Sequence, residues 1–89
     1  MYRRELTNRA QRELDKLSGD DLERVVAAIR GLRENQRPHG AKKIRGPIYR
    51  IQVGDWRIVY AVFDKDQLVI VGKVARRSER TYEGVDELF

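Results

Sequence analysis

Residues 49–77, YRIQVGDWRIVYAVFDKDQLVIVGKVARR, decide the fold. Three runs rich in Val, Ile and aromatics are separated by Gly54-Asp55 and by Asp64-Lys65-Asp66. That composition and punctuation belong to three consecutive antiparallel strands. Glycine at the first position of a two-residue loop suits a type II′ hairpin turn. Such a turn sets Val53 opposite Trp56, Gln52 opposite Arg57, Ile51 opposite Ile58, Arg50 opposite Val59 and Tyr49 opposite Tyr60.

Side chains alternate across a strand, so these pairs sort onto two faces. Tyr49, Ile51, Val53, Trp56, Ile58, Tyr60 and Val62 share an apolar face that must be covered. Arg50, Gln52, Arg57 and Val59 share the other, basic face. A three-residue loop at Asp64–Asp66 places Leu68, Ile70, Gly72 and Val74 on the covered face. Val69, Val71, Lys73, Ala75 and Arg77 then join the basic face. A two-residue loop would bury Lys73 among apolar side chains, which is costly, so the first register is expected.

Upstream, Tyr2–Leu6 reads as a short edge strand, and Thr7 or Asn8 can cap a helix. Leu6, Ala10, Leu14 and Leu17 fall at helical spacing on one side. Ser18-Gly19 breaks that helix. A second starts with Asp20 as cap and Glu23 at the capping-box position, carrying an apolar stripe of Leu22, Val25, Val26, Ile29 and Leu32. Helix capping accounts for these acids without a metal or acid–base site. Two helices with one apolar stripe each supply what the uncovered sheet face needs. Asn35–Pro47, with two prolines and two glycines, reads as a loop, with His39 exposed in it. From Asn35 to Gly54 there are five basic residues and no acid.

The whole is one domain, residues 1–89, with a formal net charge of +5 and a pI near 9.9. That balance favours polyanions or acidic proteins as partners. There is no cysteine and one histidine, which excludes disulfides, thiolate catalysis and multi-histidine metal sites; the lack of cysteine fits a reducing cytoplasm. No apolar run approaches the ~20 residues of a membrane span. The N-terminal MYRRELTNRA is too charged for a signal peptide. The short tail GVDELF brings Val85, Leu88 and Phe89 to what reads as a last, poorly covered helical turn.

Arg50, Arg57, Lys73, Arg76 and Arg77 are expected near one sheet face or its rim. Like charges crowded together cost folding energy unless a partner offsets them, and arginine forks match phosphate geometry. Tyr82, just beyond Arg77, can stack on a base, exchange a proton, or simply pack at the sheet edge. With no metal motif, nucleotide loop or Ser/His/Asp set, any chemistry runs on Arg, Lys, Tyr and backbone groups. RNA cleavage is chemistry of that kind, because RNA carries its own 2′-OH nucleophile.

Ala41–Gly46 (AKKIRG), Tyr49–Tyr60 (YRIQVGDWRIVY) and Val74–Arg77 (VARR), with Glu79 and Tyr82, resemble the RelE/ParE superfamily of toxins from toxin–antitoxin pairs. The resemblance spans nearly the whole chain. It implies an α+β, β-α-α-β-β-β microbial-RNase-like fold: a mainly antiparallel sheet with two N-terminal helices on one face. It also implies a metal-independent, cofactor-free endoribonuclease that cuts mRNA in the ribosomal A site, in the cytoplasm, restrained by a cognate antitoxin. By position Arg57 and Arg77 match arginines credited with transition-state stabilisation and proton transfer. Tyr82 matches a tyrosine that assists the 2′-OH, and Arg50 matches a charge-stabilising lysine. Gln52 stands where the pattern has a second lysine. Lys43, Arg45, Gln52, Lys73 and Arg76 are the candidate RNA contacts. The ParE branch inhibits DNA gyrase instead, and a non-catalytic RNA- or protein-binding module on the same fold is a third reading.

Overall fold

The computed structural model describes residues 1–77 together with Gly84, Val85, Leu88 and Phe89. The chain forms β1 (Arg3–Leu6), α1 (Asn8–Asp15), α2 (Gly19–Gly31), β2 (Lys42–Arg45), β3 (Ile48–Val53), β4 (Trp56–Phe63) and β5 (Leu68–Arg76). The strands make one sheet in the order β1-β5-β4-β3-β2, with β1 parallel to β5 and the other neighbours antiparallel. This is an α+β fold with both helices N-terminal to the hairpin strands.

Thr7 caps α1 by accepting a hydrogen bond from the Ala10 N–H at 3.1 Å, so the apolar spacing and the cap agree. α2 begins two residues earlier than the capping-box reading placed it. Ser18 is its N-cap, and Asp20 and Asp21 lie in the first turn, where they complement the helix dipole. Gly19, at φ +58°, provides the sharp entry that lets α2 start there.

The β3–β4 hairpin has the expected register throughout, from Val53 opposite Trp56 to Tyr49 opposite Tyr60. Gly54 at φ +61° supplies the left-handed position that the turn demands. The Asn35–Pro47 loop is shorter than expected, because β2 forms inside it and pairs with β3. KKIR has too few apolar residues to announce a strand, but the unpaired edge of β3 offers it a ladder.

β5 departs from both registers considered for it. The connection is Asp64–Gln67, with Gln67 in the left-handed region at φ 48°. Val62 therefore pairs with Val69 and Tyr60 with Val71, turning Val69 and Val71 into the core rather than onto the basic face. A bulge then intervenes, and Val59 pairs with Lys73, Ile58 with Val74 and Arg57 with Ala75. Gly72 is the extra residue, and it resets the alternation. The bulge thus satisfies two demands that no regular strand could meet together: it buries Val69 and Val71 and keeps Lys73 off the helix side. Other elements stabilise it. The Thr7 hydroxyl donates to the Gly72 carbonyl at 3.3 Å, and a Glu13 carboxylate oxygen accepts the Val74 N–H at 3.0 Å.

The main core lies between the helices and the sheet. Ala10, Leu17, Val25, Ile29 and Leu32 meet Ile51, Ile58, Tyr60, Val62, Val69, Val71 and Val74. Burying each large member contributes roughly 1.5–3 kcal/mol before chain entropy is counted. The opposite face is not basic throughout. Ile48, Val59, Ala61 and Val85 form a second apolar cluster with Ile44, Phe63 and Leu88 against it. Val85 is 2% exposed, contrary to expectation, whereas Phe89 is exposed, as expected of a poorly covered tail.

Candidate functional site

The face away from the helices is built in rows, because paired residues on neighbouring strands project to the same side. One row runs Lys42, Arg50, Val59, Lys73 across β2, β3, β4 and β5. The next, one pleat along, runs Gln52, Arg57, Ala75. Strand alternation carries Arg77, just after β5, to the same side as Ala75, and its N–H donates to the Asp55 carbonyl at 2.8 Å. Neighbouring strands lie about 4.8 Å apart, so Lys42 stands next to Arg50, and Lys73 two strands beyond Arg50 with Val59 between.

Lys42 directly opposes Arg50, a like-charge pairing that by itself destabilises a sheet. Arg50 and Arg57 are half-buried, and Lys73 is 7% exposed, the one buried charged side chain among the described residues. Val59 and Ala75, both buried, form an apolar floor between them. Rigid backbone and partial burial give these cations a fixed geometry and a lower local dielectric than free surface lysines have. Among the described residues no group of three or more His, Cys, Asp or Glu side chains could hold a metal ion.

Arg50, Arg57, Lys73, Gln52 and Arg77 thus come together on this side. Arg45 pairs with Ile48 across a bulge in β2 and reaches its margin. Lys43 and Arg76 do not join them. Lys43 pairs with Tyr49 and Arg76 with Trp56, both on the helix side. Lys42 occupies the position on the cationic row; the β2 register decides between it and Lys43, and a loop reading had no register to offer. Gln52 turns its side-chain amide to the Gly54 carbonyl at 3.2 Å. Tyr82 lies outside the described residues.

His39 is exposed and borders a cleft that Ile51, Gln52 and Val53 also line, while Arg37 is engaged elsewhere. Arg37 donates through Nη2 to Asp64 Oδ2 at 2.9 Å and through Nε to the Tyr49 hydroxyl at 2.9 Å. Those two hydrogen bonds, Tyr49 first, raise its already high pKa. The Tyr2 hydroxyl donates to Asp64 Oδ1 at 2.7 Å. Arg37 and then Tyr2 hold the Asp64 carboxyl below its ordinary range. Behind this clasp Tyr49 stacks on Tyr60 at 5.9 Å between ring centres, and the Tyr60 hydroxyl donates to the Gln36 carbonyl at 2.8 Å. The Gln36 amide in turn closes the α2 C-terminus on the Leu32 and Arg33 carbonyls. These polar groups hold the loop and helix end to the sheet.

The chain matches the family model described as the ParE toxin of type II toxin–antitoxin systems, parDE, over residues 4–81. A curated relative from Methanocaldococcus jannaschii, named RelE1 as a toxin candidate, is 28% identical over 78 residues, which make up 82% of this chain and 87% of the relative. The isolated RelE toxin of E. coli superposes with a TM-score of 0.75 at 28% identity, covering 100% of both chains. A chain of the Mycobacterium tuberculosis toxin–antitoxin complex RelBE2 superposes with a TM-score of 0.72 at 25% identity, covering 85% of this chain and 98% of that one. With its fold and nearly its whole length accounted for in this way, the chain belongs to the ParE toxin family, within the RelE/ParE superfamily of toxins from toxin–antitoxin systems.

Proposed function

We propose that this toxin is a metal-independent endoribonuclease that cleaves mRNA, in the ribosomal A site, and that a cognate antitoxin restrains it. The observation that carries the reading is the pair of rows Lys42–Arg50–Val59–Lys73 and Gln52–Arg57–Ala75. They set Lys42, Arg50, Arg57 and Lys73 together on one rigid face, and neither row contains an acid. In the reaction the RNA 2′-OH attacks the adjacent phosphorus, the 5′-oxygen leaves, and the strand ends in a cyclic phosphate and a 5′-hydroxyl. Arg57 and Arg77 stabilise the charge that builds on the phosphoryl oxygens, and one of them supplies the proton to the leaving oxygen. Arg50 adds to that field. Tyr82 assists removal of the 2′-proton. Lys42, Arg45, Gln52 and Lys73 contribute to holding the strand.

The relatives named RelE favour this reading, while the family name ParE favours inhibition of DNA gyrase on the same scaffold. Purified toxin assayed on programmed ribosomes and, in parallel, in gyrase supercoiling separates them. Arg57→Ala should lower the single-turnover cleavage rate by about 10²–10³ at saturating toxin. Binding to many phosphates should change little when one cation is lost. Gyrase inhibition without mRNA cleavage, or a saturated Arg57→Ala variant that cleaves at the wild-type rate, overturns the assignment.

A further inference from the structure

We propose a base-stacking subsite on the helix side of the sheet, in the cleft between the α1–α2 junction and the ends of β4 and β5. The inference rests on the RNA reading above and extends it to a second face. The cleft has a volume of about 520 Å³ and is lined by Glu13, Lys16, Leu17, Trp56, Val74 and Arg76 among others. That volume lies within the ~300–1,000 Å³ typical of small-ligand sites.

Arg76 pairs with Trp56 across the ladder, and its guanidinium carbon lies 4.8 Å from the centre of the indole ring. Arg76 is exposed, and among the described residues it has no carboxylate partner. Guanidinium planes and aromatic rings are the surfaces on which proteins stack unpaired bases. A guanidinium held over an indole is such a surface already assembled, with its orientation fixed before a base arrives.

Position ties the cleft to the cationic rows. Arg57 and Arg77 directly follow Trp56 and Arg76 in sequence and turn to the opposite face. Ala75, which floors the row of Arg57, also borders the cleft. A strand that lays its backbone on Arg57 and Arg77 and bends around this end of the sheet brings a neighbouring base to Arg76. The acids bordering the cleft select base over phosphate. Glu13 is committed to the Val74 N–H, and Asp21 lies at the rim. Carboxylates repel a phosphate but accept hydrogen bonds from base N–H groups.

Trp56 is the only tryptophan in the chain, so its emission reports on this site alone. The test titrates full-length toxin with a short, dye-labelled 2′-O-methyl RNA oligomer, which lacks the attacking hydroxyl. Tryptophan emission and dye anisotropy are read together, and an abasic oligomer of the same length serves as control. The RNA oligomer should raise anisotropy and quench Trp56 saturably, whereas the abasic one should raise anisotropy without the quench. Arg76→Lys, which keeps the charge and loses the plane, should weaken oligomer binding about tenfold. Anisotropy without quenching, or an Arg76→Lys variant that binds as wild type does, overturns the subsite and leaves the RNA reading standing. No anisotropy change with any oligomer likewise overturns the subsite, whereas the RNA reading falls only if the toxin fails to cleave mRNA on programmed ribosomes.

Discussion

Tyr60 is fully buried, and burial pushes its hydroxyl up to about 12. In the unfolded chain a tyrosine ionises near 10. The folded pKa is the higher one, so this contribution to stability is whole below pH 10 and is lost as pH rises toward 12. Over that window the single proton gives a slope of about 1.4 kcal/mol per pH unit. Urea unfolding of wild type and Tyr60→Phe at a series of pH values should show the slope only where the hydroxyl is present. At neutral pH the same substitution leaves the Gln36 carbonyl without its donor. Glu13 makes a second prediction at this scale. Glu13→Ala removes the acceptor of the Val74 N–H beside the bulge, and an orphaned, part-buried amide costs about 1–3 kcal/mol. Glu13→Gln keeps an oxygen in place and should lose less. Equal urea midpoints for Glu13→Ala and wild type would show that water replaces the carboxylate without penalty.

At the scale of elements, α2 ends in Gly31, whose φ is not left-handed and whose missing Cβ would meet nothing within 4 Å. Glycine there gives up backbone entropy for no steric reason, so Gly31→Ala should stabilise the fold by about 0.5–1 kcal/mol, read as a higher urea midpoint. The β3–β4 hairpin was legible from sequence because a single glycine turn sets its parity and the apolar alternation then agrees with it for the length of both strands. β5 was legible only beyond Gly72. The bulge depends on Thr7 and Glu13, which arrive from β1–α1 and leave no mark in the local pattern. The same holds for the site. Arg50, Gln52 and Arg57 follow from the hairpin, and Lys73 follows from the cost of burying it on the helix side. Lys42 and Lys43 differ only by the β2 register, and Arg76 was grouped with the site although alternation sends it to Trp56. Local periodicity sees one strand at a time, and these placements belong to pairs.

The molecule as a whole carries a formal charge of +5, and its two sides are unlike. The helix side opens on α2 with Asp20 and Asp21, while the far side carries Lys42, Arg50, Arg57 and Lys73 beside an apolar patch closed by Val85 and Leu88. An antitoxin that restrains this toxin by covering the far side must therefore present acids toward the rows, and apolar side chains toward Ile48, Val59 and Ala61 in place of the tail. The two contributions act on different rates. Long-range attraction speeds encounter and is screened within a Debye length of about 10 Å at 0.1 M salt. Apolar contacts form after encounter and govern dissociation. Stopped-flow mixing of toxin with its cognate antitoxin should show association slowing severalfold or more from low to high salt, with dissociation changing less. Lys42→Glu should slow association at low salt and flatten its salt dependence, because it reverses one charge at the exposed edge strand without touching the apolar patch. An association rate that stays constant across salt would mean that the cationic rows do not steer the partner, and the apolar end of this face would then be left to account for recognition.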